Sequence, residues 1–279
     1  MSRVPDGVPA GIFLVDSITK LHEQHRNAVV VSGSHGGIYA GYCAAKGHVR
    51  AVIQNDAGIG KDGAGISSLA FLDEIHLAAA VTDSATCRIA QADDMWAHGI
   101  ISHVNKTAAA LGCKPGDTVP VCAEKLLKAV PSPDPVPSIG EGRFVVSERP
   151  GEPVVIGIDS ASLFKPEDVG RIVVTASHGG LIGGAPDTTT PDVYAATYND
   201  AGGCKDGSGY AARLPDLDLR GIAAATVSAM SARIGDARSH LADGIVSHVN
   251  ETAKKRGGAV GQTLQAFIAA MIEARRAGL

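Results

Sequence analysis

Short aliphatic and β-branched runs alternate with longer polar or helically spaced stretches along this chain. Residues 12–15, 28–31, 49–54 and 77–81 are apolar runs bounded by Gly, Ser, Asn or Asp, the pattern of buried strands. The spacing between them predicts helices over 17–25, capped by Ser17, over 38–46, stopped by Gly47, and over 66–75. It also predicts a long helix over 93–111 and a last one over 117–129 capped by Asp117. Residues 58–65 form a glycine-rich loop between a strand and a helix, and 82–87 an exit loop.

The same succession returns downstream. Ser34-His35-Gly36-Gly37 follows one apolar run, and Ser177-His178-Gly179-Gly180 follows another. Asp16-Ser17 matches Asp159-Ser160, Asn55-Asp56 matches Asn199-Asp200, and Lys61-Asp62-Gly63 matches Lys205-Asp206-Gly207. Arg88 matches Arg233, and the Ser-His-Val-Asn at 102–105 matches that at 247–250. Repeats this long are not solenoid units. They predict an internal duplication: two Rossmann-like α/β lobes with mostly parallel sheets and right-handed crossovers, over 10–130 and 153–275. The proline-rich stretch 131–152, with one apolar run at Phe144-Val145-Val146, reads as a linker. The copies part at Pro186-Asp187-Thr188-Thr189-Thr190-Pro191, a loop where the first copy is helical.

Ligands of such sheets bind beyond the strand carboxyl ends. Those ends carry Asp16-Ser17, Ser34-His35, Asn55-Asp56 and Thr82-Asp83 in the first copy and their counterparts in the second, so a site is expected between the lobes. The two histidines, in glycine turns after strands, suit general acid/base work or the fixing of a neighbouring loop. Asp56 and Asp200, with Asn55 and Asn199, suit orientation of a histidine or substrate, or closure of their own turns. Cys204 stands in the second glycine loop beside Lys205, neighbours that lower a thiol pKa, and with His178 it makes a candidate nucleophile pair. Cys87 is a weaker candidate. Ser34 or Ser177 with Lys61 or Lys205 is a Ser–Lys alternative. Gly36, Gly37, Gly179, Gly180 and the lysines suit an anion held on backbone amides. Arg88 and Arg233 suit a substrate carboxylate or a salt bridge between lobes. His103 and His248 fall inside expected helices.

Composition narrows the class. The 279 residues carry a net charge of −4 and only 4% aromatics, which argues against nucleic acid. No apolar run approaches the roughly 20 residues of a membrane span, and Met1 to Gly7 gives no sign of a signal peptide. The five cysteines, without a CxxC pair, suit reduced thiols and a cytoplasmic setting. Asp62 follows Lys61 where a phosphate-binding P-loop has Ser or Thr, and no dinucleotide fingerprint is met, so no cofactor is expected. A metal set of His35, Asp56 and Asp62 lacks a supporting motif. The apolar stripe at 265–272 suggests a homo-oligomer.

In plan, two similar α/β lobes facing each other, the chain resembles aspartate/glutamate racemase-type enzymes. Those place one cysteine at strand ends in each lobe. Here Cys204 is answered by Gly60, so the resemblance does not imply their paired-thiol chemistry. The leading expectation is an enzyme that hydrolyses a C–N bond in a small carboxylated amide or cyclic amide. An isomerase or racemase with paired acid/base residues is the first alternative. A non-catalytic small-anion binding protein is the second.

Overall fold

Strand formation follows the apolar runs, and the two faces of each strand sort its side chains by alternation. In β2 (Val29–His35), Val29 and Val31 face one core and Val30 the other. The computed structural model describes residues 7–279. The absence of a signal peptide, read from Met1 to Gly7, therefore falls almost wholly outside them.

Among the described residues there are two sheets. The first has five strands in chain order, β1 (Ile12–Val15), β2, β3 (Ala51–Asn55), β4 (Ala78–Thr82) and β5 (Ile101–Val104). All neighbours are parallel except β4 and β5. α1 (Ile38–Lys46) and α2 (Ser68–Glu74) cover one face. α3 (Ala92–His98), α4 (Lys106–Ala110) and α5 (Val119–Leu126) cover the other.

The second sheet has six strands, β6 (Arg143–Ser147), β7 (Val155–Ile158), β8 (Ile172–His178), β9 (Ala195–Asn199), β10 (Ala223–Val227) and β11 (Val246–Val249). Its outermost pairs are antiparallel and the rest parallel. α6 (Arg213–Leu219) packs on one face, and α7 (Ala237–Asp243), α8 (Glu251–Lys255) and α9 (Leu264–Arg276) pack on the other. The protein is thus an α/β fold of two lobes, each built on a mostly parallel sheet.

Several sequence expectations are corrected. The segment 93–111 is not one helix. Gly99 ends α3, and β5 then pairs antiparallel with β4, so His103 lies on a strand, as does its counterpart His248 on β11. The β-branched residues around these histidines pack better on a pleated sheet than on a helix. Residues 17–25 form two 3-10 turns rather than a helix, and Ser17 caps nothing, its hydroxyl meeting Thr19 at 2.9 Å. α5 begins after Thr118, while Asp117 binds Lys125 at 2.6 Å. The apolar run in the proline-rich stretch is β6, an edge strand of the second sheet. The stripe of α9, expected to need cover from the other lobe or a second subunit, is covered by its own lobe through Leu264, Phe267, Ile268 and Met271.

The strand ends of the two lobes face each other. Gly58 and Gly202 touch across the junction, both at positive φ (71° and 70°). A Cβ on Gly58 would sit 2.7 Å from Gly202 Cα, and one on Gly202 would sit 2.6 Å from Gly58 Cα. Ala57, Ala64, Ile89, Ala201 and Ile234 form a small core around them. Gly58→Ala combines a strained backbone with a clash against backbone, and it should cost about 2 kcal/mol or more. Urea unfolding checks this; an unchanged midpoint would contradict the docking described here.

Candidate functional site

β2 and β8 carry the same irregularity. Against β3, β2 pairs Val31 with Ile53 and then His35 with Asn55; against β9, β8 pairs Val174 with Thr197 and then His178 with Asn199. Each strand therefore bulges before its histidine, and bulges re-aim side chains at sheet ends. The amides taken out of the ladder find local partners. Ser34 N–H donates to Ser32 Oγ (3.2 Å) and Ser177 N–H to Thr175 Oγ1 (3.1 Å).

The bulges bring Ser34, His35, Ser177 and His178 onto the wall of one cavity between the lobes, of about 160 Å³. That space suits a ligand displacing on the order of ten waters. Each serine Oγ accepts a backbone amide, Ile18 N–H on Ser34 (3.0 Å) and Ala161 N–H on Ser177 (2.8 Å), which leaves its own O–H to donate. Each imidazole Nδ1 accepts the amide two residues on, Gly37 N–H (3.1 Å) and Gly180 N–H (3.2 Å). These bonds assign the neutral tautomer with the proton on Nε2. Desolvation lowers His35 to about 4. Desolvation, then the Arg213 charge and His35, lower His178 to about 3. Both rings are neutral at pH 7.

The glycines of the turns serve close approach. A Cβ on Gly37 would strike the His35 ring at 2.6 Å, and one on Gly36 would meet Gly65 O at 2.7 Å. Their counterparts would meet Ile89 of the other lobe (Gly180, 2.9 Å) and Gly209 O (Gly179, 2.6 Å).

The remaining polar rim gathers elsewhere. Asp56 Oδ1 accepts Gly58 and Ser84 amides, and Asp200 Oδ1 accepts those of Gly202 and Ala229. Asn55 and Asn199 accept the Ala57 and Ala201 amides. All four close the junction turns and none lines the cavity. The basic residues tie lobe to lobe: Lys61 to Asp243 (2.6 Å), Arg88 to Asp206 (2.8 Å), Arg233 to Asp62 (2.9 Å) and Lys205 to Asp94 (3.9 Å). Cys204 Sγ points at Ala201 O (3.1 Å) away from the cavity wall. Burial first, then the nearby Cys87, Asp56 and Asp200, push its thiol pKa up, so it is held protonated. Cys87 is buried and pushed up to about 11. The structure thus brings together both Ser–His pairs and separates them from Cys204, the Asn–Asp pairs and the basic residues. Among the described residues, no group of His, Cys, Asp and Glu is arranged to hold a metal ion.

Two cavity residues had no place in the sequence reading. Arg213, at the start of α6, is 2% exposed. Its guanidinium reaches Asp187 (3.2 Å), Thr189, Thr190 and the Gly180 carbonyl (3.0 Å), and it lies over the Tyr198 ring. Its position answers Ser68, and Tyr198 answers Gln54, which bond each other in the first lobe (3.1 Å). Departures of this kind between the two lobes were the available signal. Glu141 precedes β6 and lines the cavity together with Ser160 and Tyr39. Burial above all raises its pKa. Only its flanking glycines distinguish it in the sequence.

No family model, curated protein or solved structure matches this chain.

Proposed function

We propose that the protein is an enzyme that hydrolyses a carbon–nitrogen bond in a small carboxylated amide or cyclic amide bound between the lobes. What supports the reading is the meeting of two Ser–His pairs at one small cavity, with both imidazoles left as Nε2–H donors. Attack on an amide places negative charge on the carbonyl oxygen. Fixed donors in a site largely removed from water stabilise that charge without reorganising. Neutral rings also line one cavity without repelling each other. The nucleophile in this reading is water, since Cys204 is protonated and off the cavity wall. Glu141, on that wall, takes a proton from the water and returns it to the leaving nitrogen as the C–N bond breaks, so that water adds across the bond. An isomerase working through the histidines would need a free imidazole lone pair on each face of the substrate. Here each Nδ1 lone pair is taken by a glycine amide.

The test is a panel of N-carbamoyl amino acids, half-amides of dicarboxylic acids, lactam acids and hydantoins, followed by ammonia release and proton NMR. At least one class should be cleaved. His178→Ala and His35→Ala should each lower kcat by roughly a hundredfold, the usual loss for an oxyanion donor, with the melting temperature nearly unchanged. Solvent deuterium entering a stereocentre without C–N cleavage would replace hydrolysis with isomerisation. No turnover of any member would sink the enzyme reading.

A further inference from the structure

Lys20 and Leu163 hold matching places in the two lobes. Each closes a 3-10 turn, Ile18–Lys20 after β1 and Ala161–Leu163 after β7. Each turn is pinned to its cavity serine, through Ile18 N–H on Ser34 Oγ and Ala161 N–H on Ser177 Oγ. Each is also closed on itself, by Lys20 N–H on the Ser17 carbonyl and Leu163 N–H on the Ser160 carbonyl, both at 3.0 Å. The two backbones are therefore fixed alike, and the side chains part. Leu163 packs against the core of the second lobe. Lys20 instead lines the cavity.

Lys20 is an unengaged cation on that wall. Its side chain is exposed and makes no ion pair or hydrogen bond with any described residue. The other cation there, Arg213, is held by Asp187 and the Gly180 carbonyl. The basic residues of the glycine loops and strand exits bridge the lobes instead. Beside Lys20, Ser17 Oγ and Thr19 Oγ1 lie 2.9 Å apart, both on the cavity wall. One of these hydroxyls donates to the other, and the accepting one keeps its own O–H to donate. An ammonium and a free O–H side by side offer a donor to each oxygen of a carboxylate.

We infer that Lys20, with the Ser17–Thr19 hydroxyl pair, receives the carboxylate of the ligand, so that the cavity selects a small acid bearing a carbonyl group over the neutral compound of the same shape. The inference rests on the reading of the cavity given above and deepens it. The carbonyl lies at the histidine donors, and the carboxylate lies at the turn of the first lobe. The second lobe, with Leu163 at the matching place, offers no such cation, so the ligand has one orientation although the histidines are paired.

Ligand-observed proton NMR titration of the full chain at pH 7 and low salt tests it. The probes are the keto acid levulinate and its homologue longer by a methylene. Each is matched with the diketone that carries an acetyl group in place of the carboxylate. None has a C–N bond to cleave. At least one keto acid should bind roughly fivefold tighter than its diketone, the scale of an exposed ion pair. Lys20→Met should erase that preference and Lys20→Arg should keep most of it, with the melting temperature unchanged in both. A lysine that served only the fold would leave the ratio where it was. The inference is overturned if neither keto acid outbinds its diketone, if Lys20→Met keeps the preference, or if no probe binds. A Lys20-dependent preference with no cleavage of any amide keeps the inference and removes the hydrolase. Amide cleavage with an acid preference indifferent to Lys20→Met does the reverse.

Discussion

Acidification from pH 7 to pH 5 should remove roughly 4–5 kcal/mol of folding free energy. Three desolvated histidines produce most of the effect, and His25 and His248, also lowered by desolvation, add to it. Desolvation lowers His35 to about 4, His178 to about 3 and His240 to about 4, against an ordinary 6.5. The unfolded chain therefore binds protons that the folded chain refuses. The stability is complete above about pH 6.5 and is lost as pH falls toward those folded values. Near pH 5 each histidine contributes a slope of about 1.4 kcal/mol per pH unit. Glu141, whose pKa is raised, acts in the opposite sense, but it is one group. Asp117, Asp168, Asp187 and Asp236, all lowered, add to the loss at more acid pH. Total stabilities are about 5–15 kcal/mol, so the effect is large enough to unfold the protein near pH 5. Urea midpoints at pH 7, 6 and 5 measure it, with the slope m held constant. Equal midpoints would show that these imidazoles reach solvent. His178→Gln should reduce the pH dependence by about a third.

The strands were legible because their apolar runs are short, β-branched and bounded by turn residues. The two edge strands β5 and β11 were not. Each is a few residues long, follows a helix directly and carries a serine and a histidine, so its pattern fits a continued helix equally well. Only pairing with β4 or β10 decides it, and pairing is a non-local fact. β6 was obscured by the prolines around it, although an edge strand tolerates such neighbours.

The candidate site was legible in part for a related reason. The residues at the strand carboxyl ends do converge, but they converge in two places. β2 and β8 bulge outward and deliver Ser–His to the cavity. β3 and β9 end flush in Asn–Asp turns and form the junction, where Gly58 meets Gly202. A sequence in which both sets look alike cannot separate them, because the difference lies in strand register. The opposite error arose with Lys61, Lys205, Arg88 and Arg233. Their partners Asp243, Asp94, Asp206 and Asp62 belong to the other lobe, so no spacing along the chain announces them.

Matched residues build the junction and the paired histidines, while unmatched residues such as Thr189 and Arg213 line the second lobe's side of the cavity. Where α1 stands in the first lobe, the second has the loop around Asp187, and Arg213 fills the space beneath it. Arg213→Met should cost about 3–5 kcal/mol, because it leaves Asp187, whose side chain is 1% exposed, as a buried anion without its main partner. Arg220 lies 3.9 Å from the other Asp187 oxygen, but it is shared with Asp192 at 2.7 Å and is partly exposed, so it offsets only a fraction. The double variant Arg213→Met, Asp187→Asn removes the stranded charge and should recover more than half of the loss. The two substitutions share one network, and their effects should therefore be strongly non-additive. Unfolding free energies of the two single variants and the double at pH 7 close the cycle. A loss below about 1 kcal/mol for Arg213→Met, or no recovery in the double, would mean that solvent already screens the pair.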